Sequence, residues 1–352
     1  MTVSPTERQG DMRAPRAGDG RPAAGGFSGI AVASMTALIS GLSVFVNSYG
    51  VHSIAAPSVY TTAKNLVATV LLASGALAGR AVSRRRAGSA AGRFVTVNRE
   101  PESGRATSLS WRTWGLARWV GLAYVGIVGG GIAFVLFFDG LADTTATPAA
   151  FWRDTLGLWV AILAIPLLRE RLTWWNLTAI GVLVAGEIAI AGGVGHLSAE
   201  RGEFLVLAAT VLWAVEVVVA KVLLHDMAAS VLALVRMGIG ALALVVNLAA
   251  SGALHLLLSF SADQIGWALL TGVLLAAYVG TWLTALGRAR AIDVTSVLVG
   301  SAVVTALLQA AAGTAPLAPH VLGLILIVGG AATVLFLGRR AAKTSRRPTV
   351  SR

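Results

Sequence analysis

Ten apolar stretches, most of them about 20 residues long, lie between Ile30 and Leu337, and few carry a charge near the centre. A helix rises 1.5 Å per residue, so about 20 apolar residues match the ~30 Å hydrocarbon thickness of a bilayer. Backbone amides in hydrocarbon must be satisfied within their own segment, which makes each stretch a helix. Ten such stretches in 352 residues leave little chain for a soluble domain. The expected fold class is an all-α polytopic membrane protein with ten transmembrane helices.

In order, the expected spans are Ile30–Tyr49, Ser58–Ala78, Trp119–Phe138, Pro148–Leu167, Trp174–Ile190, Phe204–Leu224, Ser230–Ala250, Trp267–Leu286, Val294–Gly313 and Val321–Leu337. Their connectors differ in charge. The segments 1–27, 80–118 and 339–352 together hold more than the whole net charge of +12, with nine arginines from Arg80 to Arg118 alone. Arg169, Arg171, Arg288 and Arg290 fall in further connectors on the same side, while the opposite connectors hold Asp139, Asp143, Glu200, Glu203 and Asp263 and only Arg201 as a base. Cytoplasmic loops are the Lys/Arg-rich ones. Both termini are therefore expected in the cytoplasm of a multi-pass protein of the cell (plasma) membrane. Trp119, Trp174, Trp175 and Trp267 stand at span ends, where an amphipathic ring anchors at the interface.

The same distribution excludes other classes. Basic charge confined to connectors and tails argues against a nucleic-acid partner. The chain has no cysteine, so thiol catalysis, disulfides and Cys-ligated metals are ruled out. His52, His196, His225, His255 and His320 sit in or beside connectors without ligand spacing, so no metal is expected. No phosphate-binding Walker sequence is present, so ATP-driven work by this chain alone is not expected, and neither is any other cofactor. Met1–Phe27 is long, polar and rich in Gly, Pro and Arg. It reads as a disordered tail rather than a cleaved signal peptide.

The two halves look alike. Aligning Leu42–Leu72 with Ala214–Leu244 places Lys64 on Arg236, Ser58 on Ser230 and Ala56 on Ala228. Ala133-Phe134-Val135 matches Ala277-Tyr278-Val279, and Ile180–Gly186 echoes Leu322–Gly329. Five spans per copy is an odd number, so the second copy would enter the membrane in the opposite sense. Two inverted five-helix repeats are a common frame for a secondary transporter working by alternating access.

Three passages carry a resemblance to a known family. Leu212-Trp213-Ala214 is followed by Ala220-Lys221 and then Arg236 early in the next span; Arg169-Glu170-Arg171-Leu172-Thr173 is followed by Ile180-Gly181 and Gly186; and Ala277-Tyr278 to Leu286 runs closely into the next span. In order and spacing these resemble the drug/metabolite transporter superfamily, in particular its EamA-type members, whose "gE-x-l" turn Arg169–Thr173 is similar to. The second half lacks that acidic turn, with Thr314–Leu317 near its place, and the insertion Arg80–Arg118 is longer than usual. The resemblance implies a disordered cytoplasmic tail at 1–27 and a first EamA-like repeat at 28–193 containing the basic loop 80–118. A second repeat at 202–338 and a basic cytoplasmic tail at 339–352 would follow. It implies a transporter, not an enzyme, moving a small metabolite, amino acid or drug-like compound, with efflux the expected direction. A small-molecule substrate and membrane lipid are the expected partners; proton coupling and a homodimer stay open.

Ionisable residues inside apolar spans cost about 2.5–3.5 kcal/mol each on insertion scales and mark functional sites by default. The candidate substrate-binding residues are Lys64, Arg153, Asp154, Glu187, Trp213, Glu216 and Arg236. Lys64 and Arg236 would hold a carboxylate or phosphate, or tie neighbouring helices together. Arg153 and Asp154 are adjacent, so their side chains diverge by about 100° on a helix and are expected to pair elsewhere. Glu216 is the deepest carboxylate and shares a helix face with Trp213. An acid at that depth suits a proton-coupled carrier, or an ion pair or hydrogen bond within the bundle. Gly129-Gly130-Gly131 with Gly126 give a smooth face for close packing or a break beside a cavity. Two other classes remain at this level: an intramembrane enzyme acting on lipid or peptide, which would need clustered nucleophiles or ligands at one depth, and a non-transporting membrane scaffold.

Overall fold

The computed structural model describes residues 26–54, 56–90, 115–144, 152–170 and 200–313, with scattered positions in 181–189 and 321–329. We label the helices α1 (Gly26–Gly50), α2 (Pro57–Ala90), α4 (Leu156–Leu168), α5 (Arg201–Leu223), α6 (Ala229–Ala250), α7 (Ala262–Arg288), α8 (Ala291–Leu298) and α9 (Ser301–Ala311). Between α2 and α4, α3 is composite: α-helix Leu116–Ala123, π-helix Tyr124–Ile132, then α-helix Ala133–Ala142.

Helix ends follow local chemistry. At the start of α7 the Ser261 hydroxyl accepts from the Gln264 amide while the Gln264 side chain accepts from the Ser261 amide, a reciprocal capping box. After α6, Gly252 takes φ +71°, and the amides of Gly252 and Ala253 donate back to the carbonyls of Ala249 and Leu248. That left-handed turn closes the helix without a Cβ clash. Hydroxyls inside the helices donate one turn back, as in Thr36 to the Val32 carbonyl (2.8 Å) and Thr210 to that of Val206 (2.8 Å). This satisfies groups that hydrocarbon cannot.

The helices pack as a bundle of mixed sense, α1 antiparallel to α7 but α3 parallel to α6 and α2 parallel to α7. α1 lies along α7; α2 contacts α6 and α7; α3 contacts α5 and α6; α4 contacts α5 and α8. Large apolar side chains such as Leu38, Val70, Leu77, Leu242 and Val246 point outward, while Lys64, Asn65, Glu216 and Arg236 are buried. This placement, with charge inside and hydrocarbon outside, suits a lipid surround.

Seven helical spans among the described residues are long and apolar enough to cross a membrane, not the expected ten. The fourth expected span appears as α4, whose 13 residues extend only about 20 Å. The spans Trp174–Ile190 and Val321–Leu337 fall outside the described residues except at scattered positions. The inverted-repeat expectation is corrected too, because no clear two-fold repeat is evident. The expected partner of the α–π–α element α3 is α7, an uninterrupted helix of 27 residues. The expected partner of α4 is the pair α8 and α9, broken at Val299-Gly300. Similar apolar runs do not dictate the same backbone hydrogen bonding; packing against neighbours does. Pro166 lies within the last turn of α4.

Candidate functional site

The site grows from the π segment of α3. Its wider turn bonds the Ala133 amide to the Val128 carbonyl, five residues back. The glycines here have a direct steric purpose. A Cβ on Gly130 would stand 2.6 Å from the Arg236 carbonyl oxygen, a Cβ on Gly240 would strike the Gly130 backbone, and one on Gly129 would strike the Glu216 carboxyl. The absence of side chains lets α3 and α6 cross with backbones nearly in contact, as small residues do in membrane bundles.

That crossing brings two donors onto one carbonyl and a carboxylate beside them. The guanidinium of Arg236 (α6) embraces the carboxylate of Glu216 (α5), Nε donating to Oε1 and Nη2 to Oε2, the latter at 3.1 Å. Nη2 also donates to the Gly129 carbonyl at 3.3 Å, and Trp213 Nε1 donates to the same oxygen at 3.0 Å. Glu216 is 1% and Arg236 4% exposed, so this is a fully buried bidentate pair. Aromatic rings enclose it. Arg236 lies over the faces of Phe134 (5.6 Å) and Trp282 (5.5 Å), and Trp213 meets Phe134 edge-on at 5.4 Å.

Phe134 stacks in turn toward Phe138, with centroids 6.5 Å apart and planes 10° from parallel. Beyond Phe138 stands Lys64, its ammonium 4.4 Å from the Phe138 ring centroid and 5.0 Å from that of Tyr60. Lys64 Nζ donates to Asn47 Oδ1 at 3.0 Å, and the Tyr60 hydroxyl donates to the same oxygen at 2.7 Å. Asn47 Nδ2 is engaged by the Ser43 carbonyl and hydroxyl, so the amide is held in one orientation. Lys64 and Arg236, expected as repeat partners, therefore have unlike surroundings: one meets an amide oxygen and rings, the other a carboxylate.

Arg153 and Asp154 bond each other, Nη2 to Oδ1 at 2.6 Å, contrary to the expectation that adjacent side chains diverge. The helix is interrupted by a turn at Thr155, immediately after them, which relaxes that geometry. Tyr278 lies within electrostatic reach of Arg153, Asp154, Glu216 and Arg236, linking the two pairs. Glu187 lies outside the described residues.

Sequence reading missed several participants. Asn47 and Tyr60 orient Lys64; their signal was a polar amide within an apolar span and the one-turn spacing of Tyr60 and Lys64. Glu203, placed in a connector by sequence, is 2% exposed and accepts from Trp152 Nε1 at 2.9 Å. The acidic turn after α4 has a clear structural purpose. Arg169 takes φ 53°, and the Glu170 carboxylate accepts from the amides of Ala291 (2.9 Å) and Ile292 (3.3 Å), the buried N-terminus of α8. Beside it, Lys221 donates to the carbonyls of Leu286 and Ala289, both at 2.6 Å, at the C-terminus of α7. Each charge matches the helix end it meets. Arg290, in the corner between α7 and α8, is held protonated above its ordinary range by its hydrogen bonds to Asp293. Among the described residues no cluster of three metal-ligating side chains occurs.

Comparison with known proteins follows the same line. The family model described as "EamA-like transporter family" matches residues 105–192 and 200–336. No curated protein matches the sequence significantly. A solved crystal structure is similar over 88% of this chain and 99% of its own, with TM-score 0.64 and 19% sequence identity. At that identity the likeness concerns the fold alone.

Proposed function

Because the chain belongs to the EamA-like transporter family, and is therefore a multi-pass membrane transporter rather than an enzyme, we propose that it carries a small organic solute by alternating access. Its binding site would be the buried node of Glu216, Arg236 and Trp213 on the Gly129 carbonyl, continued through Phe134 and Phe138 to Lys64. Arg153 and Asp154 would line the same region through Tyr278, and outward movement is the proposed direction. The observation that carries this reading is the bidentate Glu216–Arg236 pair, sunk in hydrocarbon beside a π-helical stretch. Desolvating two ions costs several kcal/mol each, so a pair in this setting exists for recognition or switching more readily than for stability.

The closed surroundings of the pair support movement. A solute reaches it only if helices part, and among the described residues the bundle contains discontinuities where they could bend, the π segment of α3 and the break at Val299-Gly300 among them. Proton coupling through Glu216 would require the carboxylate to leave Arg236 first, since both its oxygens are engaged. The test is solute counterflow in proteoliposomes with a panel of amino acids, nucleosides, sugars and cationic drugs. A solute carried by the wild type should lose counterflow in Arg236→Gln and in Glu216→Gln and keep it in Arg288→Gln, an exposed position at a helix end. Counterflow that survives both buried substitutions would remove this site from the mechanism.

A further inference from the structure

Building on the carrier reading, we propose that Lys64, oriented by Asn47 and Tyr60 and backed by Phe138, is an anion subsite. It would take the acid group of an amphipathic solute whose apolar body lies along the Phe138–Phe134 stack. Lys64 is 4% exposed, within a helix that spans the bilayer. Buried charges are paired as a rule, because an isolated ion in a low-dielectric interior is very costly. The neighbouring charges obey that rule: buried Glu216 holds buried Arg236, and the half-buried Asp154 and Arg153 hold each other.

Lys64 stands apart from these two pairs. Its ammonium has three donors, and the structure gives it one neutral acceptor, Asn47 Oδ1, and two ring faces. Among the described residues no carboxylate forms an ion pair with it. Asn47 cannot turn to offer more, being fixed by Ser43 on one side and Tyr60 on the other. The cation is thus aimed and uncompensated, and a transported acid would supply the missing charge.

The aromatic stack sets the rest of the ligand. Phe138 and Phe134 connect Lys64 to the Arg236 neighbourhood as one apolar wall. Arg236 is already neutralised by Glu216, so the wall has an open positive charge at one end and a closed pair at the other. This polarity fits a monoanion with an apolar body better than a zwitterion or a cation.

The experiment uses matched probes in detergent-solubilised full-length protein: phenylacetate against phenylacetamide, and hexanoate against hexanamide. Thermal-shift titration reads the relative affinity of acid and amide. A charge-assisted hydrogen bond predicts a preference for the acid of about tenfold or more. That preference should persist in Lys64→Arg and fall to about unity in Lys64→Gln. Asn47→Asp provides a variant that keeps the lysine but supplies an internal counter-charge, and it should also abolish the preference. Acids binding no better than amides in the wild type, or a preference surviving in Lys64→Gln or Asn47→Asp, would overturn the subsite. Counterflow of a panel solute by the wild type, with acids bound no better than amides, would leave the carrier reading standing while the subsite fell; no counterflow of any panel solute by the wild type would sink the carrier reading itself.

Discussion

At the scale of single residues, the Glu216–Arg236 pair concentrates both the cost and the meaning of the site. Each ion is expensive to bury; each is compensated by the other, and Arg236 also by the Gly129 carbonyl. Removing one partner leaves a bare charge or orphaned donors, which costs about 3–5 kcal/mol in buried pairs. Glu216→Gln and Arg236→Gln alone should each lower the melting temperature of the detergent-solubilised protein markedly. The double variant should lose less than the sum, because neither unpaired ion remains. Additive losses would mean that the two side chains do not act as a unit. The position of Glu216 within its span was readable from sequence, since a carboxylate in an apolar run must find a partner. Which partner it finds was not readable, because twenty residues and a helix crossing separate it from Arg236.

At the scale of elements, helix ends and helix crossings explain residues that an apolar count passes over. α2 extends about 51 Å over its 34 residues, longer than a bilayer core, and so projects Arg84, Arg85 and Arg86 past the end of its span at Ala81. The acidic turn after α4 caps α8 from a distance. Glu170→Ala should therefore cost about 0.5–2 kcal/mol, in the range of lost N-caps. The expected readout is a lower melting temperature, with Glu170→Gln milder because its amide oxygen still accepts from Ala291. Equal stability of all three proteins would show that the α8 end is satisfied by water. Sequence similarity marked this turn as a family feature, whereas its target at Ala291 and Ile292 is a tertiary contact across more than a hundred residues.

At the scale of the whole molecule, orientation is the open quantity that charge predicts. Arg118 with Asp226, Lys221 on the α7 carbonyls and Gly29 against Arg288 belong to one end of the bundle, and Asp143 with Arg201 and Gln264 with Ser53 to the other. The first end carries most of the arginines and is the proposed cytoplasmic face, with both termini on it. The chain has no native cysteine, so single introduced thiols report cleanly. In intact cells, Ser89→Cys should resist an impermeant thiol reagent and Thr144→Cys should react. The reverse pattern would turn the molecule over.

By itself the sequence determined that this chain lives in a bilayer. It also located seven of the spans to within about five residues of the membrane-length helices, because apolar length and helix pitch are local properties. It named the charged residues that hydrocarbon would force to find partners. Tertiary structure alone decided who those partners are. The glycine crossing of α3 and α6, the π turn beside it, the Arg153–Asp154 contact and the solitary cation at Lys64 all depend on which helix faces which. Periodicity tells a residue which side of its own helix it occupies, but the neighbour on that side is chosen by packing across the bundle.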